Sequence, residues 1–335
     1  MTWLLTGGAG YIGSHVLRAM VEADFSVVVM DDLSTADPRR VPAHVPMVAG
    51  SVLDASLLRT TIRDYGVTGV VHLAGKKSVP ESLEMPLHYY RENVTGAMTL
   101  IEVMADETVP RLVFSSSAAV YGTSSADLVT ETAPTRPESP YGRSKLMVEW
   151  MIHDAAAAYG LSCMSLRYFN VVGCADPVLA EARGSNLFPL VFAALQRGER
   201  PVVFGDDYPT RDGSCVRDYI HVADLAEAHV AAVRRVSSAT VDETVNVGCG
   251  VGHTVFEVLA AVAKVTGYDT TPTILPRRPG DPASMVAATD LAESVLGWTA
   301  RLDLDDMVES AWRGARAGNF GDPPTLPVAV EGTVR

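Results

Sequence analysis

Apolar residues in the first half of this 335-residue chain fall in short unbroken runs rather than in alternation. Val27-Val28-Val29-Met30 and Gly69-Val70-Val71-His72-Leu73 are examples. Such runs predict strands covered on both faces, as in a parallel sheet. Strands are expected at 3–6, 26–30, 47–49, 69–74, 111–116 and 161–168, with helically spaced segments near 12–23, 54–65, 86–105 and 141–159 between them. The last helix stops at Gly160, a residue suited to a left-handed C-cap. This strand–helix rhythm predicts an α/β fold with a Rossmann-type doubly wound parallel sheet over residues 1–170, and later strand and helix returns near 216–250. After Asn170 the rhythm breaks into shorter pieces punctuated by Asp206-Asp207-Tyr208-Pro209 and Arg277-Arg278-Pro279-Gly280-Asp281. Residues 171–320 are therefore expected to form mainly a smaller α/β substrate-binding region, and the Pro- and Gly-containing stretch 321–335 a loose tail.

Charge narrows the partners. With 27 Lys+Arg against 40 Asp+Glu, the chain carries a formal net charge of −13, so its average field repels nucleic acid and anionic lipid. An anionic substrate would have to be gripped by a few placed arginines. The four cysteines, Cys163, Cys174, Cys215 and Cys249, show no C-x-x-C spacing, which argues against a zinc ribbon or a disulfide framework, and no metal is expected. The chain enters an apolar strand at Trp3 without a basic leader before it, and no apolar run is long enough to span a bilayer; the expected location is the cytoplasm.

The turn after the first strand, Thr6-Gly7-Gly8-Ala9-Gly10-Tyr11-Ile12-Gly13, satisfies G-x-G-x-x-G between a strand and a helix. Glycines there let the backbone turn tightly and approach a pyrophosphate lying at the positive end of the helix. Gly7, Gly10, Tyr11, Ile12 and Gly13 are thus candidate dinucleotide contacts. About twenty residues on, Asp31-Asp32 ends the second strand, where a carboxylate can accept from ribose hydroxyls and repel a 2′-phosphate, favouring NAD over NADP. One of the two aspartates can equally be an acidic surface turn. Leu73, Ala74 and Gly75 end the fourth strand, small enough to lie close to a cofactor. Lys77 beyond them can meet a pyrophosphate or simply face solvent.

Ser115-Ser116-Ser117 ends the fifth strand, at the edge where ligands bind in open parallel sheets. Tyr141 and Lys145 are four apart at a helix start, hence on one face. A phenol ordinarily titrates near 10, too high for a base near neutrality, but a nearby ammonium and a positive nicotinamide ring both favour phenolate. Ser117 could then hold the same substrate oxygen that Tyr141 deprotonates. A Y-x-x-x-K pair alone also arises by chance on helix surfaces; the glycine turn and the serine run give it weight.

These elements, in this order, resemble the extended short-chain dehydrogenase/reductase family, and within it most of all the UDP-glucose 4-epimerases, also known as UDP-galactose 4-epimerases. The resemblance spans nearly the whole chain and includes Glu92-Asn93-Val94-Thr95-Gly96, Ser117-Ala118-Ala119-Val120-Tyr121-Gly122, Ser139-Pro140-Tyr141-Gly142-Arg143-Ser144-Lys145, Arg167-Tyr168-Phe169-Asn170, Asp207-Tyr208-Pro209-Thr210 and Val216-Arg217-Asp218-Tyr219-Ile220-His221-Val222. It implies that Tyr141 takes the proton of the sugar 4-hydroxyl while hydride passes to a resident NAD, and that hydride returns to the other face of a 4-keto sugar. It also implies a homodimer formed through the helices near 86–105 and 141–159.

By the same resemblance, Ser51, Val52, Asn93 and Tyr168 lie along the cofactor. Asn170, Asn186 and Leu187 meet the sugar and diphosphate, Phe204 the uracil, and Arg217, Arg278 and Asp281 the nucleotide diphosphate and ribose. Arginine suits that task because its fork matches phosphate oxygens. Alternative roles are plain ones: a core aromatic for Phe204, a helix cap for Asn186, a backbone tie for Asn93.

Asp32 stands where many of these epimerases have Asn, Ser51 where Asp usually faces the adenine, and Val171 where Pro usually follows Tyr-Phe-Asn. Met285 falls at the position that gates the C2 substituent, between the tyrosine that excludes N-acetyl groups and the small residues that admit them. Related 4,6-dehydratases and uronate decarboxylases carry acidic residues after the catalytic serine or threonine; Ala118 and Ala119 are not ionisable, so those chemistries lack their second acid. UDP-N-acetylhexosamines, UDP-pentoses and dTDP-sugars stay open as substrates, and an NAD-binding regulatory module without catalysis is the alternative of another class.

Overall fold

The computed structural model describes residues 1–124, 126–181, 186–278 and 280–317. The expected tail at 321–335 lies outside them, as do the last residues of the 171–320 region.

In chain order the first half runs β1 (Thr2–Thr6), α1 (Tyr11–Glu22), β2 (Ser26–Asp31), β3 (Met47–Ala49), α2 (Ala55–Asp64), β4 (Val67–His72), α3 (Val79–Glu84), α4 (Pro86–Tyr89), a π-helical turn (Tyr90–Thr95), α5 (Gly96–Asp106), β5 (Arg111–Ser117), α6 (Pro140–Tyr159) and β6 (Ser162–Tyr168). The second half comprises β7 (Asn170–Val172), α7 (Leu187–Gln196), β8 (Val202–Phe204), β9 (Val216–His221), α8 (Val222–Ser238), β10 (Asp242–Val247), β11 (Gly252–Thr254), α9 (Val255–Thr266), β12 (Thr273–Leu275), β13 (Ser284–Met285), α10 (Asp290–Leu296) and α11 (Leu304–Ala317).

Seven parallel strands form the main sheet in the order β10-β6-β5-β4-β1-β2-β3. This is the doubly wound arrangement, with the order reversing between β1 and β4. The unbroken apolar runs follow from it directly. Trp3, Leu5, Val27 and Val29 enter the core on the side that holds Val16, Leu17 and Leu225 from α1 and α8. Leu4, Val28, Met30 and Val70 enter the opposite core with Leu58, Leu100 and Val148 from α2, α5 and α6. Because strand side chains alternate between faces, both parities must be apolar.

Three boundaries differ from the sequence expectation. The fourth strand stops at His72, so Leu73–Gly75 form the turn beyond it. The single helix expected near 86–105 is interrupted by the π turn at Tyr90–Thr95. Of the returns expected near 216–250, α8 packs on the main sheet and β10 joins it, whereas β9 pairs with β7, β11 and β13 in a separate small sheet. A third core, with Phe188, Phe192, Tyr219, Val258, Leu259 and Met307, holds α7, α9 and α11 together beside that sheet. No helix among the described residues is long and apolar enough to cross a membrane.

Candidate active site

The glycine turn sits at the C-terminal edge of β1. Gly7 has φ +73°, and a Cβ there would lie 2.7 Å from the Ala74 amide nitrogen. At Gly13 a Cβ would lie 2.0 Å from the Gly7 carbonyl oxygen. Gly10 is the N-cap of α1 and no side chain caps it, so a bound anion can take that place. A cradle that any Cβ would fill, opening onto a helix N-terminus, fits the pyrophosphate of a dinucleotide; Tyr11 and Ile12 begin the helix behind it.

Asp31 is buried and anchors this turn: one carboxylate oxygen accepts from the Ala9 N–H (3.0 Å) and the other from the Leu33 N–H (2.9 Å). Burial raises its pKa, against the pull of those two amides. Each oxygen keeps a lone pair for a ribose hydroxyl. Asp32 is the exposed turn residue of the pair, accepting from the Ser34 N–H (2.9 Å).

Lys77 is not left for a pyrophosphate: its Nζ pairs with Glu181 (2.6 Å) and lies 5.7 Å from the centre of the Tyr11 ring. Its neighbour Lys76, absent from the sequence reading, donates to the Ser34 hydroxyl (3.0 Å) on the ribose side. Ser51 accepts from the Leu53 N–H (3.2 Å), and Val52 is buried in the core. Tyr168 ends β6, its backbone pairing with Ser117. It is buried, and its hydroxyl shares a hydrogen bond with His229 on α8, because the end of β6 turns that side chain into the core.

Asn93 braces two pieces of the site at once. Its Oδ1 accepts from the Lys76 N–H (2.7 Å), and its Nδ2 donates to the Lys76 carbonyl (3.0 Å) and to the Ser144 hydroxyl (2.9 Å). Ser144 in turn donates to the Tyr141 carbonyl (2.7 Å). The loop after β4 and the catalytic helix are thereby tied through one side chain set on the π turn, a distortion common at functional positions. Gly75, at φ +154°, leaves the space: a Cβ there would lie 2.9 Å from Asn93 Oδ1.

The candidate catalytic residues converge at the end of β5. α6 starts cleanly, with the Ser139 hydroxyl accepting from the Gly142 N–H (3.1 Å) and Pro140 at the first position, and ends at Gly160 with φ +69°. This start places Tyr141 beside Ser117, whose side chain pulls the phenol's pKa down. The Tyr141 ring packs edge-on against buried Tyr89, centroids 6.4 Å apart; Tyr89 is held by Glu81 (2.7 Å) and the Ser78 N–H (2.9 Å).

Lys145 is 5% exposed, its Nζ donates to the Ser115 carbonyl (2.7 Å), and it lies 5.9 Å from the Tyr141 ring centre. Burial lowers its pKa to about 8, partly opposed by the charge of Glu149. One expectation needs correction. Burial raises the Tyr141 phenol and the Ser117 side chain only pulls it back, so the protein's own groups do not favour phenolate. One of the three Lys145 N–H donors goes to the Ser115 carbonyl, and a bound positive cofactor ring would add its charge to that of the ammonium.

The remaining candidates gather around β7–β9. Asn170 is exposed and donates to the Asp218 carbonyl (3.0 Å). Asn186 stands at the N-cap of α7 without making the cap hydrogen bond. It lines a cavity with Tyr11, Val171, Glu181 and Phe188, and Leu187 opens the helix beside it. Arg278 stacks on Phe204, guanidinium carbon 3.7 Å from the ring centre. Arg217 donates to the Val216 carbonyl (2.7 Å) and pairs with Asp281. Arg277, which the sequence reading passed over, stacks on Tyr208 at 4.3 Å and pairs with Asp207 (2.6 Å). Three arginines thus gather here, two of them paired with carboxylates.

Met285, opposite Arg217 in the small sheet, is buried with Ala118, Leu146 and Phe169. Asp218 was quoted only as part of a motif, yet it is wholly buried and accepts from the Cys249, Gly250 and Ala287 amides (2.8–3.1 Å). It locks β9 and β13 in place.

Comparison with known proteins agrees with this geometry. Residues 3–248 match the family described as NAD dependent epimerase/dehydratase. A UDP-glucose 4-epimerase of Azospirillum brasilense is 45% identical over 315 residues, covering 92% of this chain and 90% of that protein. One from Streptomyces lividans is 46% identical, covering 92% and 94%. Among solved structures, the UDP-glucose 4-epimerase of Stenotrophomonas maltophila, with bound NAD and formylated UDP-arabinopyranose, superposes with a TM-score of 0.90 at 41% identity, covering 95% of this chain and 98% of that one.

Proposed function

The chain belongs to the NAD dependent epimerase/dehydratase family, and from that premise we propose that it interconverts UDP-glucose and UDP-galactose, or a close UDP-sugar pair, by removing and returning one hydride at C4. The observation that carries the reading is the Ser117–Tyr141 hydroxyl pair at the end of β5, with Lys145 beneath it and the non-ionisable Ala118 and Ala119 beside it.

Gly7, Gly10, Gly13, Asp31 and the loop braced by Asn93 would hold NAD, which when bound supplies the hydride acceptor and a positive ring. Ser117 and Tyr141 hold the sugar 4-hydroxyl between a serine hydroxyl and the tyrosine in its phenolate form. Tyr141 takes its proton as C4 is oxidised, keeps it while the keto sugar turns over, and gives it back. Arg217, Arg278, Asp281 and Phe204 grip the nucleotide at a distance from the reacting carbon, so the sugar can turn without leaving. Ala118, Phe169 and Met285 offer that turning sugar an apolar wall with no proton to donate, which supports epimerisation over elimination.

A homodimer is part of the proposal. Leu87 is 80% exposed and Trp150 59%, and with Leu83, Met98 and Met147 they leave large apolar side chains uncovered on α3–α6.

Incubating the purified protein, without added NAD, with individual UDP- and dTDP-sugars and resolving products by NMR tests the function. A 4-epimer is expected, with UDP-glucose and UDP-galactose reaching one equilibrium from either side. A 4-keto-6-deoxy product, or no product from any of them, overturns it.

A further inference from the structure

Behind the serine run lies a buried carboxylate that the reaction above does not use. Glu149 follows Lys145 by one turn of α6, and Tyr141 by two, on the same stripe. Its Oε1 accepts from the Ser116 hydroxyl and from Arg167 Nε (2.9 Å), and its Oε2 from Arg167 Nη2 (2.7 Å). The side chains of Arg167 and Glu149 are only 7% and 6% exposed. Arg167 is held from the far side as well, donating to the Tyr121 hydroxyl (2.8 Å) and the Glu131 carbonyl (3.2 Å). Tyr121 in turn donates a hydrogen bond to Asn246 Oδ1 (2.7 Å).

Such a network is a poor way to gain stability, since apolar replacements of a buried ion pair are often neutral or better. It is a good way to fix a position. Lys145 clips α6 to the carbonyl of Ser115, and Glu149 clips the same helix to the hydroxyl of Ser116. The next residue along β5 is Ser117, whose hydroxyl meets Tyr141 near the start of that helix. Two clips one helical turn apart set both the height and the rotation of the strand end against the helix.

We propose that Glu149, clamped by Arg167, is a positioning residue for the reaction: through Ser116 it sets the end of β5 so that Ser117, Tyr141 and Lys145 share one geometry. The inference rests on the epimerase reading, but it has its own observable. Lys145 is faced by Glu149 on its own helix and by His72 on β4, which burial keeps neutral with a pKa of about 3. Glu149 is faced by Lys145 and by Arg167 from β6. Its negative charge therefore supports the Lys145 ammonium, and neutralising it leaves the opposing charge of Arg167 in place.

The test compares wild type, Ser116→Ala and Glu149→Gln. Lysine ¹³Cε NMR follows the Lys145 titration, its signal assigned by loss in Lys145→Met, and kcat and KM are measured across the same pH range. Ser116→Ala is expected to fold as wild type and to lower kcat by about 10- to 100-fold at nearly unchanged KM, the scale of a misplaced catalytic group. Glu149→Gln is expected to move the Lys145 midpoint to lower pH, and the high-pH fall of kcat with it. Wild-type kcat in Ser116→Ala, or a Lys145 midpoint in folded Glu149→Gln equal to that of wild type, overturns the proposal. If Glu149→Gln does not fold, Ser116→Ala decides alone. A wild-type protein without epimerase activity would contradict the function, while the Lys145 titration would still decide the role of Glu149.

Discussion

At the scale of single residues the site turns on which hydroxyl can give up and regain a proton. Tyr141 is the candidate because Ser117, on the opposite side of the substrate oxygen, has no means of accepting one near neutrality. Replacing Tyr141 by Phe removes the proton acceptor and keeps the edge-on packing against Tyr89. Turnover is expected to fall by roughly 10²- to 10⁴-fold, the range of a lost general acid–base group. Thermal stability should change little, and steady-state kinetics beside a melting curve check both. Ser117, Tyr141 and Lys145 were legible in the sequence because their spacing carries the chemistry. Glu149, Arg167 and Tyr89 were not, because Ser116, Arg167 and Tyr121 reach the network from 18 to 46 positions away and no local pattern marks such a meeting.

At the scale of elements, the central strands of the main sheet were legible because they are covered on both faces and their sequences show it. The short strands β7, β8 and β11–β13 were not: two or three residues long, they owe their pairing to partners far along the chain. The π turn at Tyr90–Thr95 was hidden for a related reason, since one extra residue in a helical turn barely disturbs an apolar period. That turn aims Asn93 at both the loop after β4 and α6. The helices around it carry the exposed apolar residues of the proposed dimer. Trp150→Glu places a charge in that face without touching the active-site hydroxyls. Sedimentation velocity should show a dimer for wild type and a monomer for the variant; a monomeric wild type would remove the dimer.

At the scale of the whole molecule, buried histidines couple folding to pH. Burial lowers His15 to about 4, His72 to about 3 and His229 to about 4. The unfolded chain takes up these protons as pH falls below about 6.5 and the folded chain does not, so their contribution is complete above that pH and is lost below it. Asp218, raised to about 6 by burial, acts the other way: folded, it accepts a proton between pH 6 and 4 that the unfolded chain does not yet bind. Asp31, also raised, adds to that offset. With three histidines set against two aspartates, the unfolded state binds more protons across that window, so stability falls as pH falls. Calorimetry from pH 7 to 5 at constant ionic strength should show a steadily falling Tm; a flat or rising one would contradict these assignments.

The proposed nucleotide end is also a property of the whole molecule. Phe204, Arg217, Arg278 and Asp281 come from separate stretches and were expected only by resemblance to a family; the fold draws them into one cluster. The central claim is that a single hydride leaves C4 and returns to it within one site. UDP-glucose carrying deuterium at C4 tests it most directly, incubated in ordinary water with the protein as purified. The account predicts UDP-galactose that retains its deuterium at C4 by NMR, and loss of that deuterium to solvent would contradict it.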